Sequence, residues 1–173
     1  EYINDGKYHT IAFFPLFPII TRAVMFLGLP FEIAATLVNN FALLGAMWVV
    51  YHWMQERYDI TTARWSTAVL GWCPLSLFGT VIYTEGLFLL FSTAALRAFD
   101  KSQYTSAGLW GAMATATRSP VLMLVPSFLI VAWRETRPKK PYFAAFATTM
   151  GLILFILYSC WRFGDLHSFV VVP

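Results

Sequence analysis

Charge is what this sequence has least of. Asp, Glu, Lys and Arg together make up 12% of its 173 residues, about half the share of an ordinary soluble domain, so a fully solvated surface is excluded. Cysteine is scarcer still. Cys73 and Cys160 both lie inside apolar runs, where a thiol behaves as a small hydrophobe, and neither a disulfide framework nor a CxxC metal site is available. No P-loop, dinucleotide fingerprint, GxSxG or HExxH motif occurs, which leaves soluble-type nucleotide or protease chemistry without support. A basic face is missing as well. The pI is near 9.0, yet the cations stand singly or in pairs at the ends of apolar runs, as topology signals and not as a nucleic-acid footprint. No initiator Met, charged n-region or cleavage site precedes the first apolar run, and Glu1–Lys7 reads as the tail of a polar loop. The chain is therefore expected to be a fragment of a longer protein.

What is present is apolar and aromatic: 58% hydrophobic residues and 18% Phe, Trp and Tyr. The expectation is an all-α integral membrane protein of multi-pass type, in a bacterial plasma membrane or an endoplasmic-reticulum membrane. Each span needs roughly 20 apolar residues, so about six spans plus one interfacial helix fit. Residues 1–30 read as an outer loop and an interfacial helix, 31–163 as the spans, and 164–173 as the start of another outer loop.

Asn4-Asp5-Gly6 signals a turn. Pro15 or Pro18 opens a helix that runs to Leu27 and is stopped by Gly28 and Pro30. It is short for a span and carries Arg22 near its middle, so it is placed in the interface, with a true span as the competing reading. Phe31–Met54 is a span, with Glu32 at the positive end of its dipole and Trp48, Tyr51, His52 and Trp53 as an interfacial belt. Gln55–Arg64 reads as a polar loop. Trp65–Ile82 returns with Pro74 near its middle, and Gly86–Phe99 crosses back to a tight turn at Asp100–Gln103. Tyr104–Ala132 reads as two short helices broken at Thr115–Pro120, because Pro120 biases Ser119 away from helix. Trp133–Lys140 is a cationic loop, and Tyr142–Trp161 is the last span.

Placing loops 55–64, 97–104 and 133–141 on one side gathers Arg57, Arg64, Arg97, Lys101, Arg134, Arg137, Lys139 and Lys140 there, which makes that side cytoplasmic. The other side collects residues 1–30, Tyr83-Thr84-Glu85, Arg118 and the Asp165/His167 loop. A carboxylate in so apolar a hairpin as that around Glu85 costs roughly 2.5 kcal/mol or more at membrane depth and needs a reason. Arg118 with Arg22 suits a phosphate or pyrophosphate, since guanidinium presents a planar fork of donors. Glu85 suits a hydroxyl, or base work if desolvation raises its pKa. Asp165 and His167 are weak metal-ligand candidates for a divalent ion. Plainer readings stand beside each: Glu85 as cap of a helix beginning at Gly86, Arg118 as donor to loose carbonyls at the Pro120 break, Arg22 snorkelling to headgroups, and Asp165 with His167 in a solvated loop.

The run Ala12-Phe13-Phe14-Pro15-Leu16-Phe17-Pro18, then Tyr83-Thr84-Glu85-Gly86-Leu87-Phe88, then Ala116-Thr117-Arg118, then Phe163-Gly164-Asp165 before a Ser-Phe pair, resembles the PIG-V family of GT-C mannosyltransferases. The eukaryotic members add the second mannose of the GPI anchor. The resemblance implies transfer of mannose or a related sugar from a polyprenyl-phosphate donor to a lipid-linked acceptor on the extracytoplasmic side, with membrane lipids as surroundings and no nucleic acid. By the resemblance Glu85 belongs to the second outer loop, Arg118 to the Thr-Arg break and Asp165 to a later outer loop; the hypothesis taken together with the residue chemistry is that Glu85, Arg118, Arg22, Tyr83 and Asp165 bind substrate. The family's catalytic Asp belongs to a loop ahead of the Phe-Phe-Pro-Leu motif, hence ahead of Glu1, and Asp5 is a poor substitute; the fragment alone is expected to be inactive. A transporter or flippase for an anionic lipid or solute would use the same broken helix and Arg118, but calls for a repeat of the broken segment. A non-catalytic membrane scaffold is the third alternative.

Overall fold

The computed structural model describes residues 16–74, 76, 81–134 and 140–163, and every described element is helical. The helices are α1 (Leu16–Met25), α2 (Phe31–Arg57), α3 (Ile60–Trp72), α4 (Glu85–Asp100), α5 (Tyr104–Thr115), α6 (Leu124–Arg134) and α7 (Lys140–Phe163), with a 3-10 segment at Ser119–Met123 leading into α6.

Local chemistry accounts for most of the boundaries. Pro18 sits in the first turn of α1, where no intrahelical N–H is lost. The helix ends as Leu27 and Gly28 donate to the carbonyls of Val24 and Met25 at 3.0 and 2.9 Å, and Gly28 takes φ +82°, a region that L side chains avoid. Pro30, extended, then introduces α2. Gln55–Arg64, expected as a loop, is mostly helix: only Tyr58 and Asp59 separate α2 from α3. Asp59 is the reason, since its carboxylate accepts from the N–H groups of Thr61 and Thr62 at 3.2 and 3.0 Å and caps α3. α3 stops at Trp72 instead of reaching Ile82, because Pro74 disfavours helix at Cys73, which turns to an extended conformation. Between α4 and α5, Gln103 N–H reaches back to Ala98 C=O and Ser102 N–H to Phe99 C=O, at 2.8 and 3.0 Å, a Schellman closure with Ser102 at φ 60°.

Two helices, α2 and the Lys140–Tyr158 part of α7, are long and apolar enough to cross a membrane. At 1.5 Å per residue α2 runs about 40 Å. α3, α4, α5 and α6 have 13, 16, 12 and 11 residues and fall short of the roughly 20 a span needs. Where six spans were expected, two helices among the described residues reach the length of a span, and four are shorter, cut by Asp59, Pro74 and the Pro120 break. α1, at 10 residues, is shorter again.

Direction alternates through the bundle. α2 and α4 lie parallel: Asn39 meets Gly86, Gly45 meets Leu90 and Trp53 meets Asp100. α3 returns against α2, with Gly71 on Met47. α4 and α5 are antiparallel through Phe91 on Trp110 and Phe99 on Tyr104. α5 and α7 are again parallel and very close. A methyl added at Gly108 would meet Ala147 Cβ at 2.7 Å, and one at Gly151 would meet the Ala112 carbonyl at 2.0 Å. Small residues let two backbones approach this way, as in membrane helix pairs.

Packing is inverted relative to a water-soluble core. The buried apolar residues are mostly alanine, joined by buried Asn39, Thr115, Thr117 and Thr148. Trp48, Trp65, Trp72, Phe146 and Leu154 face outward. An apolar exterior of this kind is what a lipid or protein surface covers. One inner cluster joins Phe17, Val38, Leu87, Phe91, Ala114 and Val121; a second joins Ala98, Phe99, Ala107, Phe128, Ala144 and Ala145. α6 leads from the first to the second.

Candidate functional site

The start of α4 and the break that follows α5 meet above the first cluster. α4 begins at Glu85, in its own first turn. α5 ends at Thr115, and the chain turns through Ala116 and Thr117 to Arg118, which is extended at φ −157°, ψ 143° before the 3-10 segment. Across that gap Arg118 Nη1 pairs with Glu85 Oε1. The pair joins residues 33 apart in sequence. The Glu85 side chain is 20% exposed and that of Arg118 is 38% exposed.

The pairing decides between the readings left open above. Glu85 is not a cap: Thr84 holds the N-cap position, and no side-chain cap bond is made. Arg118 does not serve the loose carbonyls of the break either. The Ala114 carbonyl there accepts from Thr117 N–H, the Thr117 hydroxyl and Arg118 N–H, at 2.9, 2.6 and 3.2 Å. With the break closed by its own backbone and Thr117, the guanidinium is left for Glu85. Glu85 Oε2 is buried and, among the described residues, has no hydrogen-bond partner. An unpartnered buried polar oxygen costs about 1–3 kcal/mol, more when charged, so half of this carboxylate is available for a further donor.

Asn39, absent from the sequence-based candidates, is the other part of the site. It lies on α2 with 0% exposure. Its Nδ2 donates to the Val81 carbonyl at 2.6 Å, and its Oδ1 accepts from Gly86 N–H at 2.8 Å. A Cβ on Gly86 would stand 2.3 Å from the Asn39 carbonyl oxygen. Its sequence signal was an amide pair, Asn39-Asn40, inside an apolar span. Asn40 turns out to bond its own helix at Thr36 C=O, 2.9 Å.

The remaining candidates are placed as follows. Tyr83 stands two residues before Glu85 and is half exposed, with its N–H on the Val81 carbonyl at 2.8 Å. Arg22 is exposed on α1, whose inner face buries Phe17 and Thr21, and it joins neither Arg118 nor Glu85 in an ion pair. Asp5, Asp165, His167 and the Phe13-Phe14-Pro15 part of the first motif lie outside the described residues. His52 stacks edge-on with Trp48 and Tyr51 at centroid distances of 4.5 and 5.5 Å, as a belt residue would. Among the described residues no group of three or more metal-ligating side chains occurs.

The site is recessed. α2 begins eight residues before Asn39, about 12 Å along its axis, and α7 continues twelve residues past Gly151, which packs on Thr115, about 18 Å. The short helices α4 and α5 thus end below the tips of the two long ones.

The opposite end of the bundle is charged differently. Glu56 accepts from Arg97 Nη2 at 2.6 Å and Nε at 3.2 Å and meets Lys101 Nζ at 2.8 Å. Asp100 takes the Arg57 guanidinium and, at 2.9 Å, Trp53 Nε1. Glu56 lies in the polar last turn of α2, past the apolar stretch ending at Met54, and its bonds to Arg97 and Lys101 hold its carboxyl down to about 2. Hydrogen bonds from Thr62 lower the Asp59 carboxyl as well.

No family model matches the chain, and neither a curated protein nor a solved structure matches it.

Proposed function

We propose that this chain is the membrane-embedded part of a multi-pass glycosyltransferase of GT-C type, which moves mannose or a related sugar from a polyprenyl-phosphate donor to a lipid-linked acceptor. The observation that carries the reading is the Glu85–Arg118 pair: two ionic side chains from separate helix boundaries, brought together in a recess between long apolar helices. An ionised group at the centre of a membrane helix costs about 2.5–3.5 kcal/mol on insertion scales, and such groups as a rule mark substrate pathways. The cation-rich end carries Arg57, Arg97, Lys101, Arg134 and Lys140 and takes the cytoplasmic side. Glu85 and Arg118 then open to the extracytoplasmic side.

In this reading Arg118 presents its remaining N–H groups to the donor's phosphate oxygens, and the second oxygen of Glu85 accepts a hydroxyl of the sugar or acceptor. The reaction breaks the bond between the sugar's anomeric carbon and the phosphate oxygen, which keeps the electron pair, and forms a bond from that carbon to the acceptor oxygen. The acceptor's proton passes to a general base, the outer-loop Asp that the resemblance implies. Arg118 stabilises the charge that grows on the departing phosphate.

The test is transfer from polyprenyl-phosphate mannose in membranes bearing the full-length protein, with Glu85→Gln and Arg118→Gln compared to the parent. Loss of turnover in both is expected. Undiminished turnover in both removes these residues from the site.

A further inference from the structure

We propose that Asn39 is a positioning residue that clasps the start of α4 and so sets Glu85 opposite Arg118. A buried amide in the middle of an apolar helix is costly unless both its donor and its acceptor are used, and here both are used on one short segment. Nδ2 holds the Val81 carbonyl and Oδ1 holds the Gly86 N–H, at 2.6 and 2.8 Å. These two contacts bracket Ile82, Tyr83, Thr84 and Glu85. The Val81 carbonyl also accepts from Tyr83 N–H at 2.8 Å, so the segment is folded tightly before the helix begins. Gly86 is required for the approach, since a Cβ there would lie 2.4 Å from Asn39 Oδ1. Gly86 N–H is one of the first amides of α4 and has no carbonyl within its own helix to bond; the Asn39 amide takes the place of the missing cap, because Thr84 makes no side-chain cap bond. The clasp therefore fixes where the backbone of residue 85 stands relative to α2. Arg118 is fixed separately, through Ala114 on α5. The distance between carboxylate and guanidinium is set by these two anchors.

Its bearing on sugar transfer rests on the Glu85–Arg118 reading above, so the experiment uses two readouts. The first is independent of activity. In full-length protein in membranes, with Cys73→Ser and Cys160→Ser as background, a Glu85→Cys/Arg118→Cys pair is bridged with a short bifunctional thiosulfonate. Bridging is expected to be efficient in that background and in one that adds Asn40→Leu, and to fall on the order of tenfold when Asn39→Leu or Gly86→Ala is added, as a coupled pair of contacts predicts. The second readout is a double-mutant cycle on transfer. Asn39→Leu is expected to match Glu85→Gln, and the double variant to be no worse than either, because Asn39 acts through Glu85; a merely structural role would add its cost in both backgrounds. Unchanged bridging with Asn39→Leu overturns the clasp, as does additivity in the cycle. If Asn39→Leu does not accumulate in membranes, Gly86→Ala decides the same question from the other side of the contact. Should Glu85→Gln transfer sugar normally, the site reading falls, while the bridging result still stands for or against Asn39.

Discussion

At one end of this bundle Glu56 is held by Arg97 and Lys101, and Asp100 by Arg57 and Trp53, with side-chain exposures from 28 to 48%. At the other end Glu85 and Arg118 face one another in a recess, and one carboxylate oxygen goes without a partner among the described residues. Both ends use the same chemical groups, yet the number of partners and the surroundings differ. The cation-rich end is over-provided with donors and solvated, so its pairs are screened and each adds little. At the recessed end the Glu85 side chain is 20% exposed with its second oxygen buried, and Arg118 carries more N–H groups than the one it gives to Oε1. A pair with spare capacity in such a place is suited to an incoming ligand; a saturated, solvated one is suited to anchoring helix ends at a membrane surface.

The sharpest way to break that contrast is to neutralise one member at each end. For the proposed sugar transfer, Arg118→Gln is expected to lower kcat/KM by about a hundredfold or more, the usual scale for a preorganised donor to developing charge, whereas Glu56→Gln should leave it unchanged; equal losses at both ends would erase the distinction. Next in size is the seam that holds the two ends in register. Gly151→Val places a side chain where Ala112 and Thr115 already stand and should cost about 1–3 kcal/mol, read as a lower midpoint of thermal or denaturant unfolding in detergent. At the exposed end, Arg97→Gln should cost no more than about 1 kcal/mol, and less in high salt, by the same measurement.

The pH dependence belongs to the exposed end too. The folded carboxyl of Glu56 titrates near 2 against an ordinary 4.5, so its stabilisation is fully present above that ordinary value and is lost as pH falls from there through 2. Asp59, also depressed, weakens in the same direction. A profile of the unfolding midpoint from neutral to acid should fall in that window, and Glu56→Gln should flatten it. The smallest effect concerns the turn beside these residues: Ser102→Gly relieves a positive φ of 60° and should stabilise by about 0.5–1 kcal/mol.

Punctuation by Gly and Pro was legible because its cause is local. The break at Thr115–Pro120 and the stop at Gly28 each follow from one or two residues and their immediate neighbours. The early start of α3 was misread because polar composition from Gln55 to Arg64 outweighed a single capping residue, Asp59. Glu85 and Arg118 could each be named from sequence, as ionic residues stranded in apolar surroundings. That they pair with each other, and that Arg22 stays apart, could not.

Composition and patterning by themselves determined that the chain is helical and apolar, where its cationic ends fall, and which ionic residues lack a local explanation, since these depend on transfer energies and backbone preferences that act over a few residues. Which of those residues meet was decided only when α4 packed against both α2 and α5. Contacts between positions 33 and 47 residues apart depend on the register of helix against helix, and that register is set by where Gly86 and Gly151 allow two backbones to touch.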